Sequence, residues 1–213
     1  MKHSASVIDI LKSVNAVLVN DHFVYTSGKH GSVYINKDAL YPHVKQTSQV
    51  CKMMAEQCAH LDIETVAAPA LGGIILSQWV GHHLSVIKQK PIHAVYAEKD
   101  GRGGFVFKRG YDRYIKNKRV LVLEDLATTG GSVKKVVDVV RSYEGKVTGV
   151  CVMVNRNPQQ VNQAMFDAPF FYLGELQAEA WDEDELPDEL KQKPINTEVG
   201  HGREYLAKQA KNQ

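Results

Sequence analysis

Cysteine is scarce in this chain of 213 residues, which contains only Cys51, Cys58 and Cys151. None of the three forms a C-x-x-C pair, and an odd count in a chain of this length argues against a disulfide framework. Cys51 and Cys58 share one face of a predicted helix, with no second pair to complete a metal site, so we predict that they are packing residues. The compartment is therefore predicted to be reducing.

Long apolar runs are also missing from the sequence. No run reaches the roughly 18 residues that a membrane-spanning helix needs. The first twenty residues lack the pattern of a signal peptide. We therefore expect a cytoplasmic protein that does not bind membranes.

An excess of charge of one sign is the third missing feature. The chain has 26 Lys and Arg residues against 24 Asp and Glu residues, a formal net charge of +2. The basic residues form no stripe and do not alternate with aromatic residues, so nothing indicates a nucleic-acid partner. Any anion should therefore bind at one specific site rather than along a basic surface.

The most informative stretch runs from Arg119 to Arg141. It opens with a continuous apolar run, Val120–Leu123, which is typical of a strand buried on both faces in a parallel sheet. Two acids, Glu124 and Asp125, and a glycine-rich turn follow. Valines at helical spacing then predict an amphipathic helix: Val133, Val136, Val137 and Val140.

The chemistry of this unit follows from its predicted geometry. A glycine-rich turn that enters a helix leaves backbone N–H groups without partners at the positive end of the helix dipole, and so forms an anion site. Two glycines let the backbone approach the anion, and three hydroxyls of the turn add donors, which suits a phosphate monoester. The two acids only accept hydrogen bonds, so their natural ligands are sugar hydroxyls or a metal. A phosphate and a ribose side by side are implied.

Neither a P-loop nor a dinucleotide-binding fingerprint occurs in this turn. Four apolar residues, two acids, a short spacer and Thr-Thr-Gly-Gly-Ser instead resemble the PRPP-binding motif of type I phosphoribosyltransferases. The alternative is a strand-to-helix turn with incidental acids. The resemblance implies that Glu124 and Asp125 are catalytic and hold the ribose hydroxyls of PRPP. It also implies a set of phosphate-binding residues: Ala127, Thr128, Thr129, Gly130, Gly131 and Ser132.

A second strand, turn and helix lies earlier in the chain. Thr65–Ala68 is predicted to be a short buried strand, and a helix is predicted for Ile74–Ile87. The glycine-rich turn between them is a second potential anion site, since ligands of open α/β sheets collect beyond the carboxyl ends of the strands. The resemblance implies that Leu71, Gly72 and Gly73 contact the pyrophosphate of PRPP. A tight turn without a ligand is the alternative.

A strand is predicted for Ile92–Ala97, and charged residues follow it. Lys99 matches the pyrophosphate lysine of the family, so the resemblance implies a catalytic role for it. Arg102, Lys108 and Arg109 are further candidates, because a mobile basic loop of the family closes on the pyrophosphate here. The alternative for these three residues is a charged turn and hairpin.

The N-terminal part of the chain resembles the hood of phosphoribosyltransferases that use orotate. His22–Ser27 and Val33–Asn36 are predicted to be short strands around a turn, although an edge ribbon with a solvated lysine is the alternative. The resemblance implies a set of base-binding residues: Lys29, Tyr34, Ile35 and, after a later strand, Arg156, whose planar fork suits a carboxylate. One departure is Thr26, which stands where the best-known orotate enzymes have a lysine.

The two ends of the chain carry no clear chemical motif. Apolar residues between Val7 and Leu18 predict an amphipathic first helix with Ser4 or Ser6 as its N-cap. The acidic stretch Trp181–Glu189 is predicted to be solvated and to pack back through its apolar residues. His201, between two glycines, is predicted to be exposed and is not assigned to the site.

These observations predict one α/β domain spanning residues 1–213, with a twisted and mostly parallel sheet flanked by helices. A small hood is expected at about residues 1–43 and a C-terminal extension at about 175–213. The resemblance implies transfer of phosphoribosyl from PRPP to orotate with release of pyrophosphate, Mg²⁺ bound mainly through PRPP, and a homodimer. A purine-salvage enzyme and a non-catalytic PRPP-sensing regulator are the alternatives.

Overall fold

Strands and helices alternate along the middle of the chain in the computed structural model, which describes residues 5–212. The strands are β1 (Val17–Val24), β2 (His30–Ile35), β3 (Thr65–Pro69), β4 (His93–Lys99), β5 (Phe105–Val106), β6 (Arg119–Ala127), β7 (Lys146–Asn155) and β8 (Phe170–Glu175). The helices are α1 (Val7–Ser13), α2 (Val44–Cys58), α3 (Gly72–Lys88), α4 (Gly131–Ser142), α5 (Gln163–Phe166), α6 (Asp188–Lys191) and α7 (Gly202–Asn212). No helix in this described part of the chain is both long and apolar enough to cross a membrane.

The described chain divides into two compact units. The first unit contains residues 5–10 and 41–176, and the second contains residues 11–40 and 177–212. Most of the segment expected to form the hood therefore belongs to the same unit as most of the expected C-terminal extension. The predicted organisation as one domain with two appendages stays a prediction.

The first unit is built on a six-stranded sheet with the strand order β5-β4-β3-β6-β7-β8. All neighbouring strands from β4 to β8 are parallel, and only β5 is antiparallel to its neighbour. The chain leaves β3 toward β4 on one side, and β6 leads to β7 on the other side. The order thus reverses between β3 and β6, where open α/β sheets bind their ligands. The predicted α/β fold with a mostly parallel sheet is confirmed.

The core of this unit explains why β6 and α4 form where the sequence predicts them. Val120–Leu123 of β6 is completely buried, as a central strand covered on both faces requires. The four valines predicted to form one stripe of α4 are also buried. Burying a valine stabilises the fold by about 1.5–3 kcal/mol relative to leaving it exposed, so this stripe fixes the rotation of the helix on the sheet.

The three cysteines are free and completely buried in the first unit. Burial raises the pKa of the Cys51 thiol to about 12. The pKa of Cys151, on β7, is raised first by a hydrogen bond with Cys58 and second by burial. The predicted packing role of Cys51 and Cys58 is confirmed.

The first helix is shorter than predicted. Ser6 caps it, because its hydroxyl accepts a hydrogen bond from the Asp9 N–H at 3.2 Å and the Asp9 carboxylate accepts from the Ser6 N–H at 3.1 Å. The helix ends at Ser13, since Asn15 adopts a left-handed conformation and the Ala16 N–H donates to the Leu11 carbonyl, as in a Schellman motif. The predicted continuation to residue 18 is therefore wrong, and residue 4, the other candidate cap, lies outside the described residues.

The second unit contains the antiparallel hairpin of β1 and β2. The turn lies earlier than predicted, because the Tyr25 N–H donates to the Lys29 carbonyl and Gly28 takes a positive φ. The predicted strand boundaries of 22–27 and 33–36 are thus wrong by several residues. Trp181 extends the hairpin, since it exchanges two backbone hydrogen bonds with His30.

Two buried histidines lie at the centre of this unit. His22 Nε2 and His30 Nδ1 are 2.7 Å apart, and His22 Nδ1 lies 3.2 Å from the Lys193 carbonyl oxygen. Because a carbonyl only accepts, His22 Nδ1 carries a proton, and His30 Nδ1 donates to His22 Nε2. His30 Nε2 is then a buried acceptor that has no hydrogen-bond partner within residues 5–212. Burial, and second the charge of His22, lower the pKa of His30.

Candidate functional site

The predicted site residues of the first unit meet at one edge of the sheet. The turn at residues 71–73 follows β3, Lys99 ends β4, the turn at residues 128–132 follows β6, and Arg156 follows β7. These four strands are parallel, so their carboxyl ends lie at the same edge. Residues that are far apart in the sequence are thereby brought together.

Glu124 and Asp125 lie near the end of β6 and are almost completely buried, with 7% and 3% of their surface exposed. The Asp125 N–H donates to Glu124 Oε1 at 3.1 Å. The Tyr41 hydroxyl donates to Asp125 Oδ2 at 2.9 Å. The two carboxylates are thus oriented before any ligand binds. Tyr41 was not predicted as a site residue, and no sequence pattern connects it to Asp125.

The glycine-rich turn after β6 has the geometry that an anion site needs. Gly130 adopts a left-handed conformation with φ +71°, and a Cβ atom there would lie 2.5 Å from Met165 Sδ, so only glycine fits. The N-cap residue of α4, Gly130, has no side chain to cap the helix, and the Gly131 N–H donates to Thr129 Oγ1 at 3.4 Å. The hydroxyl residues of the turn are exposed: Thr128, Thr129 and Ser132. Main-chain and side-chain donors therefore face solvent where a phosphate can reach them.

The turn after β3 repeats this arrangement. α3 begins at Gly72, and its N-cap residue Leu71 makes no side-chain cap. A Cβ atom at Gly73 would lie 2.6 Å from the Ala68 Cβ atom, so the missing side chain lets the helix pack closely against β3. Two helices whose N-cap residues provide no side-chain cap thus begin at the same sheet edge. This is the electrostatic setting that two anionic groups on one ligand require.

A cavity of about 460 Å³ lies beside the turn after β3. It is lined by Ala70, Leu71, Ile74, Tyr96, Glu98, Lys99 and Arg109. The role predicted for Lys99, contact with pyrophosphate, stays a prediction. Arg109 is the one member of the three further basic candidates that lines this cavity, whereas Arg102 and Lys108 do not.

The loop after Lys99 is ordered by its own polar groups. Asp100 Oδ1 accepts hydrogen bonds from the N–H groups of Arg102 at 2.7 Å and Gly104 at 2.9 Å, and these bonds lower the pKa of Asp100. Lys135 of α4 donates to the Gly103 carbonyl at 2.6 Å. The loop is thereby connected to the helix that begins at the phosphate turn.

Arg156 is held beside the strand that carries the acid pair. Its N–H donates to the Ala127 carbonyl at 2.8 Å, and its side chain is half-buried. The adjacent Asn155 is fully buried and donates to the Val161 carbonyl at 2.9 Å, which fixes the chain direction after β7. The guanidinium therefore extends from a rigid part of the sheet edge.

The remaining predicted base-binding residues belong to the second unit. Lys29 forms an ion pair with Asp182 at 2.8 Å, and the hydrogen bond of this pair raises the pKa of Lys29. The Tyr34 ring lies 5.4 Å from the Phe23 ring, and Ile35 is buried. The roles of Lys29, Tyr34 and Ile35 stay predictions.

Thr26 and His201 also meet within the second unit. The Thr26 hydroxyl lies 3.1 Å from His201 Nε2, and His201 Nδ1 lies 2.6 Å from the Glu204 carboxylate. His201 is exposed, as predicted. Its contacts give it a structural role within this unit.

Comparisons with known proteins agree on one family. The sequence model of one protein family, the phosphoribosyl transferase domain, matches residues 43–171 of this chain. The orotate phosphoribosyltransferase of Caldanaerobacter subterraneus is 33% identical over 181 residues, which are 85% of this chain and 89% of that protein. The orotate phosphoribosyltransferase of Thermotoga maritima is 32% identical, over 84% of this chain and 89% of that protein.

Solved structures show the same fold. The orotate phosphoribosyltransferase of Mycobacterium tuberculosis in complex with inorganic phosphate superimposes with a TM-score of 0.64 at 21% identity, over 80% of this chain and 95% of that chain. The same protein in complex with PRPP gives a TM-score of 0.60 at 21% identity, over 80% and 96% of the two chains.

Proposed function

Since the chain belongs to the phosphoribosyltransferase family, we propose that it transfers the 5-phosphoribosyl group of PRPP to orotate and releases pyrophosphate, a step of pyrimidine nucleotide biosynthesis. The observation that carries this function is the end of β6. There a buried acid pair is followed after two residues by a glycine turn and a helix whose N-cap glycine has no side chain. Relatives that share about a third of the residues over most of the chain are orotate phosphoribosyltransferases, which supports orotate as the base.

The reaction requires electrostatic and positional catalysis rather than a covalent intermediate. The electron pair of the bond from the anomeric carbon leaves with pyrophosphate, while the base nitrogen supplies the pair for the new bond and loses its proton. Positive charge develops on the ribose and negative charge on the leaving group. We assign the ribose hydroxyls to Glu124 and Asp125, and the 5'-phosphate to residues 127–132. Lys99 and residues 71–73 are assigned to the pyrophosphate.

We further propose that Mg²⁺ accompanies PRPP. Glu124 and Asp125 place carboxylate oxygens at the sheet edge. Mg²⁺ typically binds one or two carboxylates together with the phosphates of a substrate. These donors fit an ion that is held mainly by the oxygens of PRPP. When bound, Mg²⁺ would neutralise part of the charge on the leaving group.

We propose that four residues bind the base, and each is assigned on separate grounds. Arg156 offers a planar fork that suits the carboxylate by which orotate differs from uracil. Lys29, Tyr34 and Ile35 are assigned to the base by their resemblance to the hood of orotate enzymes. The ion pair of Lys29 with Asp182 means that Lys29 must exchange this partner if it is to meet the base.

A homodimer and a cytoplasmic location complete the proposal. The resemblance to the family supports the dimer, which sedimentation equilibrium would test. The three free cysteines support a reducing compartment. Labelling of the cell fractions with an antibody would test the location.

Incubation with PRPP and Mg²⁺ tests the function directly. Orotate, uracil, adenine, hypoxanthine and xanthine are supplied singly, and pyrophosphate release is followed. We expect release with orotate and little with the other four bases. Release with a purine instead would indicate a salvage enzyme. Binding of PRPP without release for any base would indicate a PRPP-sensing regulator.

A further inference from the structure

Three side chains of the second unit, Thr26, His201 and Glu204, form a polar triad that the proposed function does not use. The Thr26 hydroxyl lies 3.1 Å from His201 Nε2, and His201 Nδ1 lies 2.6 Å from a carboxylate oxygen of Glu204. An ionised carboxylate only accepts hydrogen bonds, so Nδ1 carries the proton of the neutral imidazole. Nε2 is then an acceptor, and the Thr26 hydroxyl donates to it. A hydroxyl, an imidazole and a carboxylate in this order can pass on a proton.

The backbone holds His201 against the end of β1. The His201 N–H donates to the Val24 carbonyl at 2.9 Å, and the N–H of Tyr205 in α7 donates to the His201 carbonyl at 3.0 Å. Gly200 has a φ of +73°, and a Cβ atom there would lie 2.8 Å from the Val24 carbonyl oxygen, so only glycine lets the two segments approach this closely. The main chain therefore helps to place the imidazole at Thr26.

The polar triad lies among residues that are assigned to the base. Thr26 belongs to the turn between β1 and β2, which also carries Lys29. A Cβ atom at Gly200, the residue before His201, would lie 3.5 Å from Cε2 of Tyr34. Thr26 and His201 are both exposed, so a ligand can reach the hydroxyl and water can reach the imidazole. The hydroxyl keeps acceptor lone pairs when it donates to Nε2, and an N–H group of a base is a suitable donor to them.

We infer that the polar triad takes up the proton that the base nitrogen loses in the transfer reaction. This inference rests on the proposed function, which assigns that proton to no residue. The N–H proton of the base passes to Thr26 Oγ1 while the hydroxyl proton of Thr26 passes to His201 Nε2. The nitrogen lone pair forms the bond to the anomeric carbon, and the electron pair of the broken bond leaves with pyrophosphate. Glu204 is the positioning residue, because its carboxylate fixes the Nδ1–H group and stabilises the imidazolium.

Water completes the cycle of proton transfers. The imidazolium of the exposed His201 releases its Nε2 proton to water after the transfer, and the polar triad returns to its starting protonation. Exposure to water also limits the gain, since electrostatic interactions are weaker at the surface than in the interior. General base catalysis typically contributes roughly 100-fold or more, and we expect the exposed triad to contribute about tenfold.

Single-turnover kinetics with PRPP, Mg²⁺ and orotate, with the full-length protein in excess, tests the inference. Thr26→Val replaces the hydroxyl by a methyl group, and His201→Gln keeps a hydrogen-bonding group but no base. We expect each to lower the rate constant of nucleotide formation about tenfold. Thr26→Ser should keep most of the wild-type rate, because it keeps the hydroxyl. His82→Gln, which changes an exposed histidine of α3, should react as the wild type does.

Added imidazole separates proton transfer from a purely structural role. His201→Ala opens a space beside Thr26 that imidazole from solution can enter, so the addition should restore part of the lost rate. The same addition should not help Thr26→Val, which lacks the hydroxyl that hands on the proton. If His201 served only as a hydrogen-bond partner, His201→Gln would react as fast as the wild type. That result, or a loss in His201→Ala that imidazole leaves unchanged, would overturn the inference.

The outcomes also distinguish this inference from the proposed function. Wild-type rates in Thr26→Val and His201→Ala, in a protein that transfers phosphoribosyl to orotate, would overturn the inference alone. A wild-type protein that releases no pyrophosphate with any base would overturn both. Circular dichroism and thermal melting of each variant establish that the loss is not one of folding. The imidazole experiment compares one variant with itself, so a partial loss of folding does not imitate its result.

Discussion

The buried polar groups of the two units serve different purposes. In the first unit, Glu124 and Asp125 are buried carboxylates at the end of a strand, oriented by a backbone N–H and by Tyr41. In the second unit, His22 and His30 are buried imidazoles that share one hydrogen bond. Carboxylates at a sheet edge are suited to a ligand, whereas mutually bonded imidazoles stabilise the fold. Changes in the first pair should therefore alter activity, and changes in the second pair should alter stability.

The largest effect is expected from Glu124→Gln combined with Asp125→Asn. Each amide loses a charge-assisted hydrogen bond to a ribose hydroxyl, so turnover should fall roughly 100-fold, which corresponds to about 2.7 kcal/mol. Steady-state kinetics with PRPP and orotate measures the loss. The matched control is Asp188→Asn with Glu189→Gln, an exposed adjacent pair on α6, which should leave turnover unchanged. Normal turnover of the Glu124→Gln, Asp125→Asn variant would contradict the proposal that the buried pair of the first unit serves activity.

A smaller effect is expected from Arg156→Ala. If this fork meets the carboxylate of the base, as proposed, its loss should raise the Michaelis constant for orotate about tenfold and leave the constant for PRPP nearly unchanged. Initial rates with each substrate varied separately give both constants. Equal changes in the two constants would show that Arg156 acts on the sheet edge as a whole rather than on the base.

Tyr41→Phe should have a still smaller effect. The ring remains, but Asp125 loses the donor at 2.9 Å that orients it, which costs about 1 kcal/mol for a hydrogen bond of this kind. We expect the Michaelis constant for PRPP to rise about fivefold and the melting temperature to fall by about 2–4 °C. A fall in stability without a kinetic change would place Tyr41 with the residues that only hold the fold.

The smallest effect is expected on folding stability at acidic pH, through His30 of the second unit. The pKa of His30 is lowered below its ordinary value of 6.5, so the unfolded chain binds a proton at a pH where the folded chain does not. The stability that this histidine contributes is present above about pH 6.5 and is lost as the pH falls through that value toward the lowered pKa. The nearby Glu183 opposes this shift but does not reverse it.

Thermal melting at about pH 7.5 and about pH 5.5 measures this dependence. We expect a fall of about 2–4 °C in the wild type that is absent from His30→Gln, since a change of about 1 kcal/mol moves the melting temperature by that amount in a chain of this size. His43→Gln, an exposed histidine of the first unit, should melt as the wild type does at both values. An equal fall in His30→Gln would contradict the role of the pair.

The phosphate turn could be predicted from sequence because its physics is local. The apolar run of β6, the two glycines and the valine stripe of α4 lie within 23 consecutive residues, and each fixes its own backbone conformation. The left-handed conformation of Gly130 and its lack of a side-chain cap then follow from the residue type. The parallel sheet was likewise predictable. Two parallel neighbouring strands need a crossover connection, and the helices predicted between the strands provide it.

Contacts over long sequence separations could not be predicted. Tyr41 and Asp125 are separated by 84 positions, Lys29 and Asp182 by 153. No pattern in either segment indicates its partner, so the pairing of the hairpin with the C-terminal segment could not be predicted from the sequence. The position of Arg109 at the cavity was equally hidden, because it depends on the left-handed backbone of Arg109 and on the acceptor that Glu98 provides.

The buried thiols give the first unit a natural reporter of its own opening. Alkylating reagents attack the thiolate, and a pKa of about 12 for Cys51 leaves almost none of that form at neutral pH. Labelling must therefore wait until the sheet and α2 separate enough to admit water and reagent. All three cysteines belong to the first unit, so the labelling rate follows the opening of that unit. Binding of PRPP should slow this rate, which gives a measure of ligand binding that needs neither turnover nor an engineered probe.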